Sequence, residues 1–225
     1  MTKDFRHIDD PLLNDISDDA LSSELYFPTI VFKISCASSV ELNQHLLAHI
    51  YAERNKDTEG IVRSNFRGLR GWHSHNKLHR DKVFDPLTKR INQAGARISK
   101  QLGYDEEKVL KIGTMWSIIN PPGSANKAHV HPGAHWSGVY YVQAPEGSGD
   151  IEFIDPRTSH IMTQPTFSQK NRRNRASWTK VQYPPRAGNM LIFPSWLYHS
   201  VNPNSSKLGE LDSERVIVSF NLSQT

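Results

Sequence analysis

The sequence predicts a mainly β protein, a sandwich or barrel of short strands with two helices packed on the outside of one sheet. Three observations predict it. After Gly103, short apolar runs alternate with Pro, Gly, Asn and Ser punctuation. Before Gly103, two stretches repeat apolar residues at helical spacing. The chain has 225 residues, and β barrels and sandwiches commonly reach about 250 as one unit. A single domain over residues 1–225 is therefore expected, with 1–25 as an extended arm and 105–225 as the β core.

Residues 1–25 are polar and acidic, hence the arm. Phe27–Ile34 reads as a strand. Ser38 and Glu41 then have the spacing of a capping box, Ser-x-x-Glu. Leu42, Leu46 and Ile50 follow at four-residue intervals, which predicts a helix with one apolar face. A second helix is expected to start with Asp85 as N-cap and Pro86 in its first turn. Its apolar face is Leu87, Ile91, Ile98 and Leu102, and Gly103 ends it. Seven strands are then predicted: Val109–Ile119, Trp136–Val142, Asp150–Ile154, Trp178–Tyr183, Asn189–Phe193, Leu197–Val201 and Arg215–Leu222. Between the third and fourth lies the long loop Arg157–Ser177, of a length that often carries function.

Composition excludes several classes. The lone Cys36 allows neither an internal disulfide nor a multi-cysteine zinc site. The N-terminus has no apolar segment of signal type. No stretch approaches the roughly 20 apolar residues that span a bilayer. A cytoplasmic protein without membrane partner is the default expectation. The net charge of +4 is mild. The basic run Lys170–Arg175 reads first as a solvated loop, and second as a contact for an acidic group. It lacks the interleaved aromatics of a single-strand nucleic-acid binder, so nucleic acid is not expected as a partner. A homo-oligomer is compatible with the sequence.

Three of the 11 histidines carry the chemistry. His129-Val-His131 is a His-x-His pair at a strand edge. Residues i and i+2 of a strand share a face, about 6.6 Å apart, so two imidazoles there can converge on one ion. Alone, such a pair is also found on plain surface. Here the strand Trp136–Val142 follows at once, then Glu146–Phe153 as a turn and strand. His199 comes 68 residues after His131, behind a glycine turn at Gly188, an apolar strand and Pro194. Arg215 follows 16 residues later, at the start of the last strand. A second group, His73, His75 and His79, is polar and precedes a helix. It reads as surface, or as a loop near the mouth of a site.

This order resembles the 2-oxoglutarate and Fe(II)-dependent oxygenases, and most closely a bacterial and phage group within that double-stranded β-helix superfamily. The residues that carry the resemblance are His129-Val-His-Pro-Gly133, Ser137-Gly-Val-Tyr-Tyr-Val142, Asp155-Pro-Arg157, Phe193-Pro-Ser-Trp-Leu-Tyr-His199 and Glu214–Asn221, with Trp116, Ser64-Asn65 and Leu25-Tyr-Phe-Pro28. It runs from about residue 25 to the end. It implies a double-stranded β-helix (jelly-roll, cupin-like) core. It also implies Fe(II) held by His129, His131 and His199, with 2-oxoglutarate as cosubstrate and O2 as co-reactant. The activity implied is a dioxygenase that oxidises a small molecule or a side chain, releasing succinate and CO2.

The sequence departs from that pattern at one ligand. Most such oxygenases carry Asp or Glu where His131 stands, so three neutral imidazoles leave the site one unit more positive. Cupins are the alternative, as metalloenzymes that do not use 2-oxoglutarate. Gly123 sits six residues before His129, as their pattern requires. However, Trp196 replaces a glycine, and His135 stands in the acid position as a candidate fourth ligand. A non-catalytic β-sandwich binding module is a third reading.

The last strand separates these. Alternation puts Arg215, Ile217, Ser219 and Asn221 on one face and Val216, Val218, Phe220 and Leu222 on the other. A guanidinium, a hydroxyl and an amide within such an apolar strand need partners. A carboxylate suits the arginine fork best, and a structural salt bridge is the plainer option. The residues expected to contact 2-oxoglutarate are therefore Arg215, Ser219 and Asn120, while Trp116 and Tyr140 or Tyr141 are candidates for the pocket wall.

Overall fold

Alternation along the last strand organises the molecule. In the computed structural model this strand, β10 (Arg215–Gln224), lies inside a six-stranded antiparallel sheet. Its apolar face, Val216, Val218, Phe220 and Leu222, is packed beneath helices α1 (Ser39–Lys56) and α2 (Asp85–Leu102). Its other face turns toward a second sheet. Residues 24, 26–61, 71–170, 173–207 and 213–225 are described. Val31–Thr225 forms one compact unit, and Met1–Ile30 is a unit of its own. The expected arm, Ser64-Asn65 and part of the basic run (Asn171, Arg172) lie outside the described residues.

The larger sheet also contains β1 (Phe32–Ser35), β2 (Trp72–His73), β3 (Leu110–Asn120), β5 (Trp136–Gln143) and β8 (Asn189–Pro194), in the order β1-β8-β5-β10-β3-β2. The smaller sheet is β4 (Asn126–His129), β9 (His199–Val201), β6 (Ile151–Ile154) and β7 (Lys180–Tyr183), in the order β4-β9-β6-β7. From β3 onward the chain passes back and forth between the two sheets, with β6 and β7 as a pair within the smaller one. This is the double-stranded β-helix expected above. Two cores follow from the layers. One joins α1 and α2 to the outer face of the large sheet, through Leu46, Ile50, Leu87 and Ile91 against Met115, Tyr140 and Ile192. The other lies between the sheets, around Val139, Phe153, Leu191, Phe193 and Ile217.

Several local expectations need correction. The strand expected over Phe27–Ile34 begins only at Phe32. The capping box does not form: Ser38 sits in the left-handed region at φ 50°, and its side chain makes no cap hydrogen bond. The sharp turn from β1 into α1 takes that conformation, whereas a capping residue has extended backbone angles. The N-cap of α2 is Phe84, with Asp85 already helical; the amide of Val83 instead bonds the Asp81 carboxylate in the preceding 3-10 turn. Gly103 ends α2 as expected, at φ 67°, where a side chain would be strained. Strands β2 and β4 and the short helix α3 (Thr158–Met162) were not foreseen. None is long enough to show a period.

Candidate metal centre and its cavity

The end of β4, the turn that follows it and the start of β9 bring the histidines together. His129 ends β4 and faces His199, the first residue of β9, as a cross-strand pair. His131 lies two residues beyond β4, where its amide bonds Ser195 O at 2.9 Å. Ring centroids are 4.4 Å apart for His129 and His199, and 5.1 Å for the two pairs that include His131. One ligand-capable nitrogen from each of the three lies within 4.8 Å of the others. Such a spacing suits three nitrogens around an ion at bond lengths of roughly 2.0–2.1 Å.

The far ring nitrogens are all engaged. Nδ1 of His129 contacts Lys127 O at 2.7 Å, and Nδ1 of His199 contacts Leu197 O at 2.9 Å. Nδ1 of His131 contacts Asn221 Oδ1 at 2.7 Å. A carbonyl oxygen only accepts, so each ring carries its proton on Nδ1 and keeps an Nε2 lone pair for an ion. Burial holds all three below the ordinary histidine range. His199, 4% exposed, is pushed down to about 3 by burial and by its two neighbours. Neutral imidazole is the form that binds metal.

A cavity of about 490 Å³ opens on these rings. Thr114, Trp116 and Ile118 of β3 line it from one side. From β5 come Gly138, Val139 and Tyr141, and from β10 the alternating set Arg215, Ile217, Ser219 and Asn221. The smaller sheet adds Ile151 and Val201, and β8 of the larger sheet adds Phe193. No Asp, Glu or Lys is among the described lining residues. Asn120 is fully buried and pairs with Arg215 in the register, but it does not line the cavity. Tyr141 lines it, whereas Tyr140 turns to the helical side and donates to Asn43 Oδ1 at 2.6 Å.

Arg215 is 1% exposed. Its Nη1 donates to the carbonyls of Ser148 and of Gly149, the latter at 3.0 Å. Its Nε and Nη2 are buried without a hydrogen-bond partner among the described residues. Those two nitrogens form one edge of the guanidinium, the edge that grips a carboxylate with two parallel bonds. Burial lowers its pKa to about 10, so it stays cationic at neutral pH. No salt bridge neutralises it among the described residues. The plainer reading of the last strand, a structural ion pair, is therefore absent there. The start of β10 is pinned from outside by Glu214, which receives Tyr51 Oη at 2.7 Å and Arg54 Nη1 at 3.0 Å from α1.

His135 stands apart. It is exposed, its Nδ1 accepts the Gln224 amide at 3.3 Å, and it is no part of the histidine cluster. The fourth ligand of the cupin pattern is thus not supplied. Of the second histidine group, His73 lines the cavity, in keeping with a loop near the mouth of a site, while Asn76, which also lines it, was not foreseen. His73 is 1% exposed and stacks on Trp116 with centroids 5.6 Å apart. It lies on a two-residue strand, too short for any pattern. The basic run is spent locally where it is described: Arg173 lies over the Phe167 ring at 3.7 Å.

Comparison with known proteins agrees with this geometry. The family model described as "Putative 2OG-Fe(II) oxygenase" matches residues 114–221, from the middle of β3 to β10. No functionally curated protein matches significantly in sequence. Among solved structures, the chain is similar to SnoN, a non-heme alpha ketoglutarate dependent epimerase of nogalamycin biosynthesis (TM-score 0.60, 15% identity, 87% of this chain and 76% of that one). SnoN has also been solved in complex with Fe3+ and alpha ketoglutarate. A Pseudomonas putida prolyl-4-hydroxylase is similar with TM-score 0.57 and 16% identity, over 87% of this chain and 92% of that one. A viral collagen prolyl hydroxylase from Paramecium Bursaria Chlorella virus-1 follows, with TM-score 0.54 and 14% identity over 87% and 96%. At these identities the structures bear on the fold, while the family match spans the strands that carry the cluster. Residues 114–221 thus resemble the 2-oxoglutarate and Fe(II)-dependent oxygenases in sequence, and the fold around them is the one these enzymes share.

Proposed function

We propose that this chain is an Fe(II)- and 2-oxoglutarate-dependent dioxygenase, with His129, His131 and His199 as the iron ligands and Arg215 as the anchor for the far carboxylate of 2-oxoglutarate. One observation carries the reading. Three clustered imidazoles and an arginine edge without partner among the described residues face a single cavity whose described lining holds no carboxylate. The donor set fits the metal, since imidazole suits ferrous iron and three ligands leave positions open. The arginine edge fits a carboxylate.

When bound, iron and 2-oxoglutarate supply oxidative power: O2 is consumed, the cosubstrate becomes succinate and CO2, and one oxygen atom is available to oxidise the substrate. The protein's own side chains supply position and dryness. Arg215 holds the carboxylate end, with its outer nitrogen fixed by Ser148 and Gly149 so that the fork turns inward. Ser219 lines the same wall and offers a hydroxyl. Tyr141 keeps its proton, since burial raises its pKa, and remains a hydroxyl donor beside Arg215. Ile118, Val139, Ile151 and Ile217 make the walls apolar and exclude water. The substrate is a small molecule or a side chain that reaches the rim near His73 and Asn76.

The test is anaerobic loading with Fe(II), followed by succinate measurement with and without 2-oxoglutarate under air. Stoichiometric iron and succinate release that needs both are expected. A protein that binds iron but neither binds nor consumes 2-oxoglutarate would return the reading to a metalloenzyme of another kind.

A further inference from the structure

The Asn221 carboxamide is shared among three neighbours brought side by side by the register of β10. On β5, Ser137 pairs with Asn221, and on β3, Thr114 does. Ser137 Oγ donates to Asn221 Oδ1 at 2.8 Å, His131 Nδ1 meets the same oxygen at 2.7 Å, and Asn221 Nδ2 donates to Thr114 Oγ1 at 3.0 Å. Which end of the amide faces His131 decides what that ring can do. With oxygen facing it, His131 holds its proton on Nδ1 and presents the Nε2 lone pair to the cluster. With nitrogen facing it, the proton moves to Nε2 and the ring cannot bind a metal there.

Ser137 breaks the tie. It is fully buried, and Asn221 Oδ1 is the only acceptor of its hydroxyl among the described residues. Turning the amide over would leave that buried proton without an acceptor, which is unfavourable. Thr114 is only half-buried and tolerates either role. We infer that Asn221 is a positioning residue of the metal centre: locked by Ser137, it fixes the tautomer and orientation of His131. His129 and His199 take the same form from backbone carbonyls two residues before them. His131 is the one histidine of the cluster whose tautomer a side chain controls. The inference rests on the metal reading proposed above.

Two measurements test it. The first needs no metal. The ¹⁵N spectrum of the metal-free protein at pH 8, with His131 assigned from a His131→Gln variant, should show Nδ1 protonated and Nε2 bare. A proton on Nε2 overturns the inference, whatever the variants do. The second is a Co(II) titration followed by its visible spectrum. Asn221→Leu should weaken binding by about 10–100-fold, the usual range for loss of a partner behind a ligand. Asn221→Asp keeps the acceptor, and Thr114 can turn its hydroxyl to donate, so affinity should stay at or above that of the unsubstituted protein. Equal affinity for the Leu variant and the unsubstituted protein overturns the role. Should Asn221→Leu not fold, the spectrum of the unsubstituted protein still decides. An unsubstituted protein that takes up no Co(II) would instead bring down the metal reading beneath the inference, and the metal-free spectrum distinguishes the two failures.

Discussion

The three imidazoles differ in how much each stands to lose. His199 is the most buried and is central to the cluster, with Phe193 packed edge-on at 4.7 Å. His199→Ala leaves two ligands, too few for a labile ferrous ion. Iron content after anaerobic loading should fall from stoichiometric to background, while circular dichroism stays unchanged; retained iron would remove His199 from the site. His131 stands where relatives more often use an acid. His131→Asp should therefore keep or raise ferrous affinity in an anaerobic titration, because a carboxylate offsets the ion's charge. Arg215→Gln makes the opposite cut. Iron binding should persist, and 2-oxoglutarate affinity should drop at least about tenfold, since each charge-assisted bond contributes about 1.5–3 kcal/mol. Calorimetry on the metal-loaded variant checks it, and an unchanged affinity would assign Arg215 to structure alone.

At the level of elements, the approach from β5 to β6 shapes the arginine. Ser148 and Gly149 lie in that connection, and Gly149 has φ 93°. A Cβ there would stand 2.1 Å from Asn202 O and 2.8 Å from Arg215 Nη1. Gly149→Ala should therefore cost about 2 kcal/mol or more of stability, from strain and overlap together. It should also weaken 2-oxoglutarate binding by displacing the guanidinium, with iron affinity kept. Urea unfolding and calorimetry read the two effects separately. Stability and cosubstrate affinity both at the level of the unsubstituted protein would show that the connection bends without consequence. The helices matter in another way: α1 and α2 cover the outer face of the sheet, so β10 is packed on both sides and its polar face has one place to go.

Across the molecule, the buried histidines couple stability to pH. Free histidine titrates near 6.5. In the folded, metal-free chain all three are held lower, His199 at about 3. Between those values the unfolded chain binds protons that the folded chain refuses. Stability is thus fully present above about pH 6.5 and falls as pH drops toward the folded values, by up to about 1.4 kcal/mol per unit for each group. Urea midpoints of the metal-free protein should be level from pH 8 to 7 and decline between 6.5 and 5. A midpoint that does not move over that window would contradict the burial of these rings. Saturating Co(II) at pH 7.5 should raise the midpoint, because the ion binds only the folded arrangement.

The sequence by itself determined the β class, the two outer helices and the alternation of β10, because periods of two and of 3.6 are local properties of the chain. It also pointed to which histidines to suspect, since His129 and His131 are two residues apart and His199 stands behind a recognisable turn, strand and proline, although His131 lies beyond the end of β4 and not on it. Other features were decided only in three dimensions. Ser38 has the spacing of a cap, yet the turn out of β1 denies it the geometry. His73 reaches the cavity through pairing of a two-residue strand with β3, and Asn76 through its carbonyl's bond from the Met115 amide, neither of which any periodicity announces. His135 matches a ligand pattern by position, but it points out to Gln224. The open edge of Arg215 exists because two distant carbonyls claim its other nitrogen, and the tautomer of His131 is set by a residue 90 positions away. Contacts between strands far apart in the chain depend on register and on which sheet each strand joins. Those are settled by burial of the whole set of apolar faces at once, and no local stretch of sequence encodes that collective fit.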